Sequence, residues 1–213
     1  MMKILFCLLI SSLGVVLHSQ QDTSVPADDT LFVSPKQYQL LNCPPVSSVS
    51  KYSNGVIKKV EIETCDTSRV KLFYSTGELN VEMTSINDTL TGDYLTYYRS
   101  GVLKSKENFC NSERQDSAFY FYPSGNLKRK GVFEEDFYSG QWLTYYENGC
   151  LKNSGTYHCG NPEGVWTFYD KKGRRIETIT YKRGKKHGER IIYKPRSQKV
   201  KKVFQYQNDE LAG

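Results

Sequence analysis

The sequence repeats itself with a period of 24 residues, and this repeat limits the possible folds more than any other feature of the chain. Three series of residues recur at that spacing. They are Gly77, Gly101, Gly125, Gly149 and Gly173; Gly92, Gly140, Gly164 and Gly188, with Asp116 in the remaining slot; and Leu79, Leu103, Leu127 and Leu151. Such a period indicates stacked copies of one small unit, each burying its apolar surface against its neighbours.

The unit at residues 141–164 has the pattern of a β-hairpin. Runs rich in Trp, Tyr and Thr flank Asn148-Gly149, a pair that favours a two-residue type I′ turn. The other glycines of the first series are predicted to end equivalent turns. The resulting pairs across the hairpin are Tyr146 with Leu151, Tyr145 with Lys152, and Trp142 with Gly155. In the last pair, the indole ring would cover the gap that glycine leaves.

Alternation along the strands predicts which face forms the core. In this repeat and the preceding one, the predicted core residues are Trp142, Thr144, Tyr146, Leu151, Gly155 and Tyr157, and Ala118, Tyr120, Tyr122, Leu127, Gly131 and Phe133. We therefore expect an all-β fold, an elongated single-sheet meander of stacked 24-residue hairpins over residues 46–213. Residues 71–188 form the strong repeats, between atypical caps. In the last copy, Ser197 stands where glycine is expected.

The pattern G-x-W-x-x-Y-x-x-x-G-x-L, complete at residues 140–151, resembles the MORN-repeat group. It is most similar to the bacterial MORN variant of antitoxin-like (YwqK-type) proteins and many exported proteins. The resemblance covers roughly residues 71–188. It implies a stack of hairpins that serves as a binding or assembly surface, and it implies little about activity.

The N-terminal residues have the pattern of an export signal. Lys3 is followed by a short apolar stretch and a small polar exit, which predicts a signal peptide at residues 1–20. Residues 21–45 contain four prolines and are predicted to form a tether. We therefore expect a periplasmic, outer-surface or secreted protein.

No catalytic constellation is recognisable in the sequence. His158 and His187 belong to different repeats and are both predicted to lie beside turns. Regularly spaced acidic triplets of the kind that bind calcium are absent. We therefore expect neither enzymatic activity nor a cofactor or metal.

The face opposite the predicted core carries the candidate binding residues. There the register pairs a ring with a lysine in three successive hairpins: Tyr97 with Lys104, Phe121 with Lys128, and Tyr145 with Lys152. Lysine stems that cover exposed rings would keep a thin sheet soluble. Alternatively, the rings and evenly spaced ammonium groups would bind an extended anionic or glycan-like partner.

The C-terminal repeats are strongly basic. Residues 171–205 contain fourteen Lys and Arg against Glu177 and Glu189, although the whole chain has a net charge of +6. The candidate basic patch comprises Lys182, Arg183, Lys185, Lys186, Lys199, Lys201 and Lys202. These lysines would either protect an exposed sheet edge from pairing or bind anionic lipid.

Three function classes follow from these observations. The first is a non-enzymatic interaction or assembly module of the bacterial cell envelope with a protein partner. The second is a membrane-surface binder that uses the basic patch. The third, implied only by the resemblance, is an antitoxin-like or immunity-like partner protein. A nucleic-acid partner is not expected for an exported protein.

Five cysteines follow the predicted signal peptide, and disulfides are common outside the cytosol. A turn at Asn54-Gly55 would place Cys43 and Cys65 across one hairpin, within one residue of register. Cys110 and Cys150 would lie four strand spacings apart, roughly 19 Å. We therefore predict a Cys43–Cys65 disulfide and expect Cys110, Cys150 and Cys159 to be free thiols.

Overall fold

The computed structural model describes residues 44–212, which contain strands and turns but no helix. The strands are β1 (Val46–Lys51), β2 (Ile57–Glu63), β3 (Thr67–Phe73), β4 (Leu79–Ile86), β5 (Thr89–Leu90), β6 (Gly92–Tyr97), β7 (Leu103–Cys110), β8 (Glu113–Arg114), β9 (Asp116–Phe121), β10 (Leu127–Glu134), β11 (Phe137–Tyr145), β12 (Leu151–His158), β13 (Asn161–Tyr169), β14 (Arg175–Lys182), β15 (Lys185–Tyr193), β16 (Val200–Gln207) and β17 (Glu210–Ala212).

These strands form one open antiparallel sheet in which neighbours in the chain pair with each other. β5 and β8 are short segments that pair with the ends of β4 and β7, and β6 and β9 continue that pairing. The predicted all-β meander of consecutive hairpins is confirmed. In such a sheet each hairpin packs mainly against the hairpins on either side of it, so the contacts between repeats join adjacent hairpins.

At one side of the sheet, the hairpins are closed by three-residue loops ending in glycine, here called the glycine loops. In the loop of residues 147–149, the Gly149 N–H donates to the Tyr146 carbonyl at 2.9 Å, and the Tyr146 N–H donates to the Cys150 carbonyl at 2.8 Å. Gly149 has a φ of +83°, whereas Asn148 is outside the left-handed region. This geometry is a type I turn with a glycine bulge. The predicted type I′ turn is wrong, although its glycine is correctly placed.

At the other side, the hairpins are closed by two-residue turns whose residues both have positive φ, as type I′ turns require. These turns are Asn87-Asp88, Asn111-Ser112, Glu135-Asp136, Cys159-Gly160, Arg183-Gly184 and Asn208-Asp209. In five of these turns the second N–H bonds to the preceding repeat, as when Gly160 donates to the Tyr138 carbonyl at 2.9 Å. In the Asn87-Asp88 turn, the first residue does so, because the Asn87 N–H donates to the Asp66 carbonyl at 2.6 Å. β13 begins directly at Asn161, after the Cys159-Gly160 turn.

The longer glycine loop changes the register beside it. Trp142 pairs with Gly155 as predicted, but Tyr145 pairs with Leu151 rather than with Lys152. Lys152 is the extra residue of a bulge between the pairs of Thr144 and Tyr145. The predicted Tyr146–Leu151 and Tyr145–Lys152 pairs are therefore wrong by one residue.

The second glycine series forms a row of bulges. Gly140 and Gly164 have φ of +60° and +69°, and Asp116 has +64° in the slot without glycine. The register with the preceding strand shifts at each of these bulges. Opposite Gly140 the shift is at Gly131, and opposite Gly164 it is at Gly155. Each bulge lets the indole two residues later lie across the preceding strand.

The best-buried part of the sheet is the cluster of Ala118, Phe133 and Trp142, each 1% exposed. Tyr120, Tyr138 and Tyr157 pack around it. All of these except Tyr138 belong to the predicted core face. The Trp142 ring covers Gly131 of the preceding hairpin, and Trp166 covers Gly155. The indole thus fills a gap left by glycine, but the glycine that Trp142 covers is on the strand before its own, β10, and not on the strand after it, β12, as predicted.

The ends of the sheet differ from its middle. β1 is exposed along its length, and β17 has three residues. The last loop is one residue longer than the glycine loops, because the Lys194 N–H donates to the Lys199 carbonyl at 2.9 Å. Its positive φ of +55° falls on Gln198 and not on Ser197, where the period placed the missing glycine.

Cys65 and Cys110 are each disulfide-bonded, whereas Cys150 and Cys159 are free. The expectation that Cys110 is free is wrong, because the argument from strand spacing excluded only its pairing with Cys150. Cys43 lies outside the described residues, so the Cys43–Cys65 pairing stays a prediction. The predicted signal peptide and almost all of the predicted tether lie outside them as well.

Candidate binding surface

Tyrosine side chains connect successive hairpins beside the glycine loops. The hydroxyls of Tyr52, Tyr74, Tyr98, Tyr122 and Tyr146 donate to the carbonyls of Phe73, Tyr97, Phe121, Tyr145 and Tyr169, at 2.7 to 2.9 Å. Each of these five tyrosines, here called the rung tyrosines, therefore ties its own hairpin to the next. Since hairpins are about 9.6 Å apart at two strand spacings, the rungs form a regular row.

Lysines lie over four of the five rung rings. The Nζ atoms of Lys58, Lys104, Lys128 and Lys152 lie 5.9, 5.9, 5.6 and 5.7 Å from the ring centroids of Tyr52, Tyr98, Tyr122 and Tyr146. The predicted recurrence of aromatic–lysine pairs is therefore present, but each ring is one residue later than predicted. Tyr97, Phe121 and Tyr145 instead supply the carbonyls that accept the rung hydroxyls.

The shift by one residue also changes the face. Trp142 and Thr144 alternate along β11 and share a face, and Tyr146 directly follows the last residue of that strand. Continued alternation places the rungs on the face of the buried cluster. The expectation that Lys104, Lys128 and Lys152 face away from the core is wrong. Their bulged backbone position turns them toward the rung rings.

On the same face, an arginine lies among the rings of the buried cluster. The guanidinium carbon of Arg129 lies 4.2 Å from the Trp142 ring centroid and 4.7 Å from that of Tyr138. The Trp142 Nε1 donates to the carbonyls of Val132 and Ser139, at 3.1 and 3.2 Å. The cluster is therefore held by directional contacts as well as by burial.

Tyr120 extends this cluster toward a carboxylate. Its hydroxyl donates to Glu107 Oε1 at 2.7 Å. Burial raises the pKa of Tyr120, and the hydrogen bond and negative charge of Glu107 raise it further. The protonated phenol is thus favoured in the folded protein.

This shift in the Tyr120 pKa predicts a loss of stability at high pH. A tyrosine in the unfolded chain has a pKa of about 10, so above that pH the folded chain holds the Tyr120 proton more tightly than the unfolded chain does. The contribution is complete below about pH 10 and declines as the pH rises further. Urea unfolding at pH 8 and pH 11 should show a smaller decrease for Tyr120→Phe than for the wild type. An equal decrease in both proteins would contradict the prediction.

The seven residues of the candidate basic patch do not form one cluster. Arg183 lies in a type I′ turn, and Lys182, Lys185 and Lys186 lie beside it. Lys199, Lys201 and Lys202 lie at the opposite end of β15. β15 has nine residues, which at about 3.3 Å each separate the two groups by roughly 26 Å.

The histidines do not form a reactive pair. His158 ends β12 beside a turn as expected, but His187 lies inside β15 and not in a turn. Its Nδ1 is buried without a hydrogen-bond partner. Within residues 44–212, no group of three or more His, Cys, Asp or Glu side chains is arranged to hold a metal ion. The same residues contain no helix that could span a membrane.

Comparisons with known proteins agree with the repeat architecture. A family model described as MORN repeat variant matches residues 90–111, 117–135 and 138–158. No curated protein matches the sequence. A solved structure titled "Crystal structure of GtfA/B complex bound to UDP and GlcNAc" is similar over 54% of this chain and 23% of that chain, with 11% sequence identity and a TM-score of 0.24.

The matched segments contain the hairpins β6–β7, β9–β10 and β11–β12, except for the first residue of β9 and of β11. The described part of the molecule is therefore a β-hairpin repeat protein, and repeats of the matched kind suggest a role in binding. More specifically, these three hairpins match the MORN repeat variant, which confirms the predicted resemblance to MORN repeats over residues 90–158. The similarity to YwqK-type and exported proteins stays a prediction.

Proposed function

We propose that this chain is a non-enzymatic, exported repeat protein that binds a protein partner and assembles with it in the bacterial cell envelope. The row of rung tyrosines with their lysines carries this proposal. Four lysine–ring pairs recur along one face of the sheet. Because each rung is bonded to the next hairpin, the row offers a partner a preorganised surface that loses little conformational entropy on binding.

Further support comes from the sequence and from the site chemistry. The first twenty residues have the pattern of an export signal. The histidines lie apart, and the carboxylates Asp93, Asp136 and Asp170 take part in ion pairs. The separation of the basic residues into two groups favours a protein partner over an anionic lipid surface, since a divided patch attracts a membrane less strongly. An antitoxin-like role has only the family resemblance behind it.

Replacing three rung lysines tests the proposal. Lys104→Gln, Lys128→Gln and Lys152→Gln in one chain should reduce recovery of the partner when the full-length protein is used as bait in extracts of the source cells. Each lost lysine–ring contact costs about 0.5 kcal/mol at an exposed site, so the variant should stay folded. Recovery is quantified by mass spectrometry.

A matched control changes the same charge on the opposite face. The control residues are Lys71, Lys106 and Lys130. In the strand register they lie directly opposite Glu82, Leu95 and Leu143. Because Leu143 is next to Trp142 in β11, this row of residues lies on the other face of the sheet. Their triple replacement by Gln should leave recovery unchanged. Equal recovery with both triple variants would show that the rung lysines only cover their rings. Flotation of anionic vesicles over a salt series separates lipid binding, which salt weakens steeply.

A further inference from the structure

The row of rungs stops after Tyr146, although the hairpins continue. The residue one period later is Asp170, which folds back over its own loop. Its carboxylate accepts the N–H groups of Lys172 and Arg174 at 2.9 and 3.0 Å and forms an ion pair with the Arg174 side chain at 2.6 Å. In the next slot stands Lys194. Two consecutive rung rings are therefore absent.

A pocket of about 450 Å³ lies where these rings would be. A tyrosine at position 170 would extend over the start of β14 toward the Tyr193 carbonyl, just as Tyr146 extends over β12 to Tyr169. Ile176 and Tyr193 both line the pocket, together with Ile192 and Pro195. Most of its exposed lining is apolar. The volume is within the range of about 300–1,000 Å³ that is usual for ligand pockets.

The charges around the pocket are positive. Glu177 is its one acidic lining residue, and that carboxylate is already in an ion pair with Arg190. Lys194 and Lys201 also line the pocket, and neither forms an ion pair with another described residue. Arg196 is exposed in the adjoining loop. A ligand that fits must therefore combine an apolar or aromatic group with negative charge.

We propose that this pocket, here called the missing-rung pocket, accepts a tyrosine side chain from an acidic segment of the protein partner. The proposal rests on the proposed function and specifies the partner's chemistry. The partner's ring takes the place of the absent rung ring and lies against Ile176 and Ile192. Its hydroxyl donates to the Tyr193 carbonyl, which is the acceptor position one period after Tyr169. Flanking carboxylates lie near Lys194 and Lys201.

The pocket also continues the surface used by the rungs. Trp166 pairs with Ile179, and Ile179 pairs with Arg190, so Arg190 and Ile192 lie on the face of the rung tyrosines. An extended acidic segment could therefore run along the rung lysines and end with its tyrosine in the pocket.

A fluorescently labelled peptide, Glu-Asp-Tyr-Glu-Asp, tests the proposal by anisotropy with the full-length chain. The wild type should bind it, and a peptide with alanine in place of tyrosine should bind at least tenfold more weakly. Asp170→Tyr restores the rung ring and should weaken binding by tenfold or more. Asp170→Ala, the matched control, removes the same ion pair without adding a ring and should bind like the wild type. Lys201→Gln should weaken binding severalfold and reduce its dependence on salt.

Several outcomes would overturn the proposal. They are absence of peptide binding to the wild type, equal binding by Asp170→Tyr and Asp170→Ala, or equal binding of the alanine peptide. Binding of phosphatidylglycerol vesicles in place of the peptide, lost in Asp170→Tyr, would assign the pocket to a lipid instead. Partner recovery by Asp170→Tyr equal to that of the wild type would reject the pocket but leave the proposed function. Peptide binding without any recovered partner would support the pocket but reject the proposed function.

Discussion

Trp142→Ala is expected to destabilise the sheet by about 4 kcal/mol, because truncating a fully buried tryptophan both removes apolar contact and leaves a cavity. The Trp142 side chain is 1% exposed and covers Gly131. Its ring centroid lies 5.2 Å from that of Phe133 and 4.7 Å from that of Tyr138. The substitution also leaves Arg129 without its closest ring. Urea unfolding followed by far-ultraviolet circular dichroism measures the loss.

Trp166→Ala is the matched control. Trp166 occupies the same position one repeat later and covers Gly155 in the same way, but it is 9% exposed. Its described ring partners are Tyr157 and Tyr181, at 4.9 and 6.2 Å. Because it has fewer contacts to lose, its truncation should cost less, about 3 kcal/mol. An equal or larger loss from Trp166→Ala would show that the cluster around Trp142 is not the centre of stability.

The architecture could be predicted because the period itself specifies it. Glycines spaced 24 residues apart do have positive φ, and Asp116 has the same conformation in the one slot without glycine. Trp142 is also correctly paired with Gly155. These features depend on local backbone conformation and on alternation, which the sequence records directly.

The register next to the loops could not be predicted from the same signals. An Asn-Gly pair is compatible both with a two-residue turn and with a three-residue loop that ends in glycine. In the folded chain, the Asn148 amide donates to the Lys171 carbonyl of the next loop at 2.8 Å. This hydrogen bond joins two repeats, so it cannot be inferred from the sequence of a single repeat. Because the observed register beside the loops differs from the predicted one by one residue, the candidate lysines lie over the rung tyrosines and not on the outer face.

The rung tyrosines themselves had a visible signal. Tyr74, Tyr98, Tyr122 and Tyr146 are 24 residues apart, as regular as the glycines. Alternation placed Tyr122 and Tyr146 on the core face, but it could not show that their hydroxyls reach the next hairpin. The missing-rung pocket was equally hidden, because it depends on what replaces tyrosine in a series that was not recognised.

Gly155→Ala is expected to cost about 3 kcal/mol, at the upper end of what overpacking usually costs. A Cβ on Gly155 would overlap the Trp166 ring at Cδ2, Cε2 and Cγ. The ring cannot simply move away, since its Nε1 donates to the Thr156 carbonyl at 3.2 Å. Gly149→Ala is the control: its Cβ would meet no atom within 4 Å, and only the φ of +83° opposes it. It should cost about 1 kcal/mol.

The clash can be separated from other effects of the alanine by a double-mutant cycle. In a Trp166→Leu background, the ring that obstructs the new Cβ is gone, so Gly155→Ala should then cost under about 1 kcal/mol. The coupling free energy between the two positions should therefore be near 2 kcal/mol, within the range seen for residues in direct contact. Additive losses would mean that the glycine is required by the backbone bulge and not by the ring above it. The same cycle at Gly131 and Trp142 should give an equal or larger coupling, because Trp142 is the more buried of the two rings.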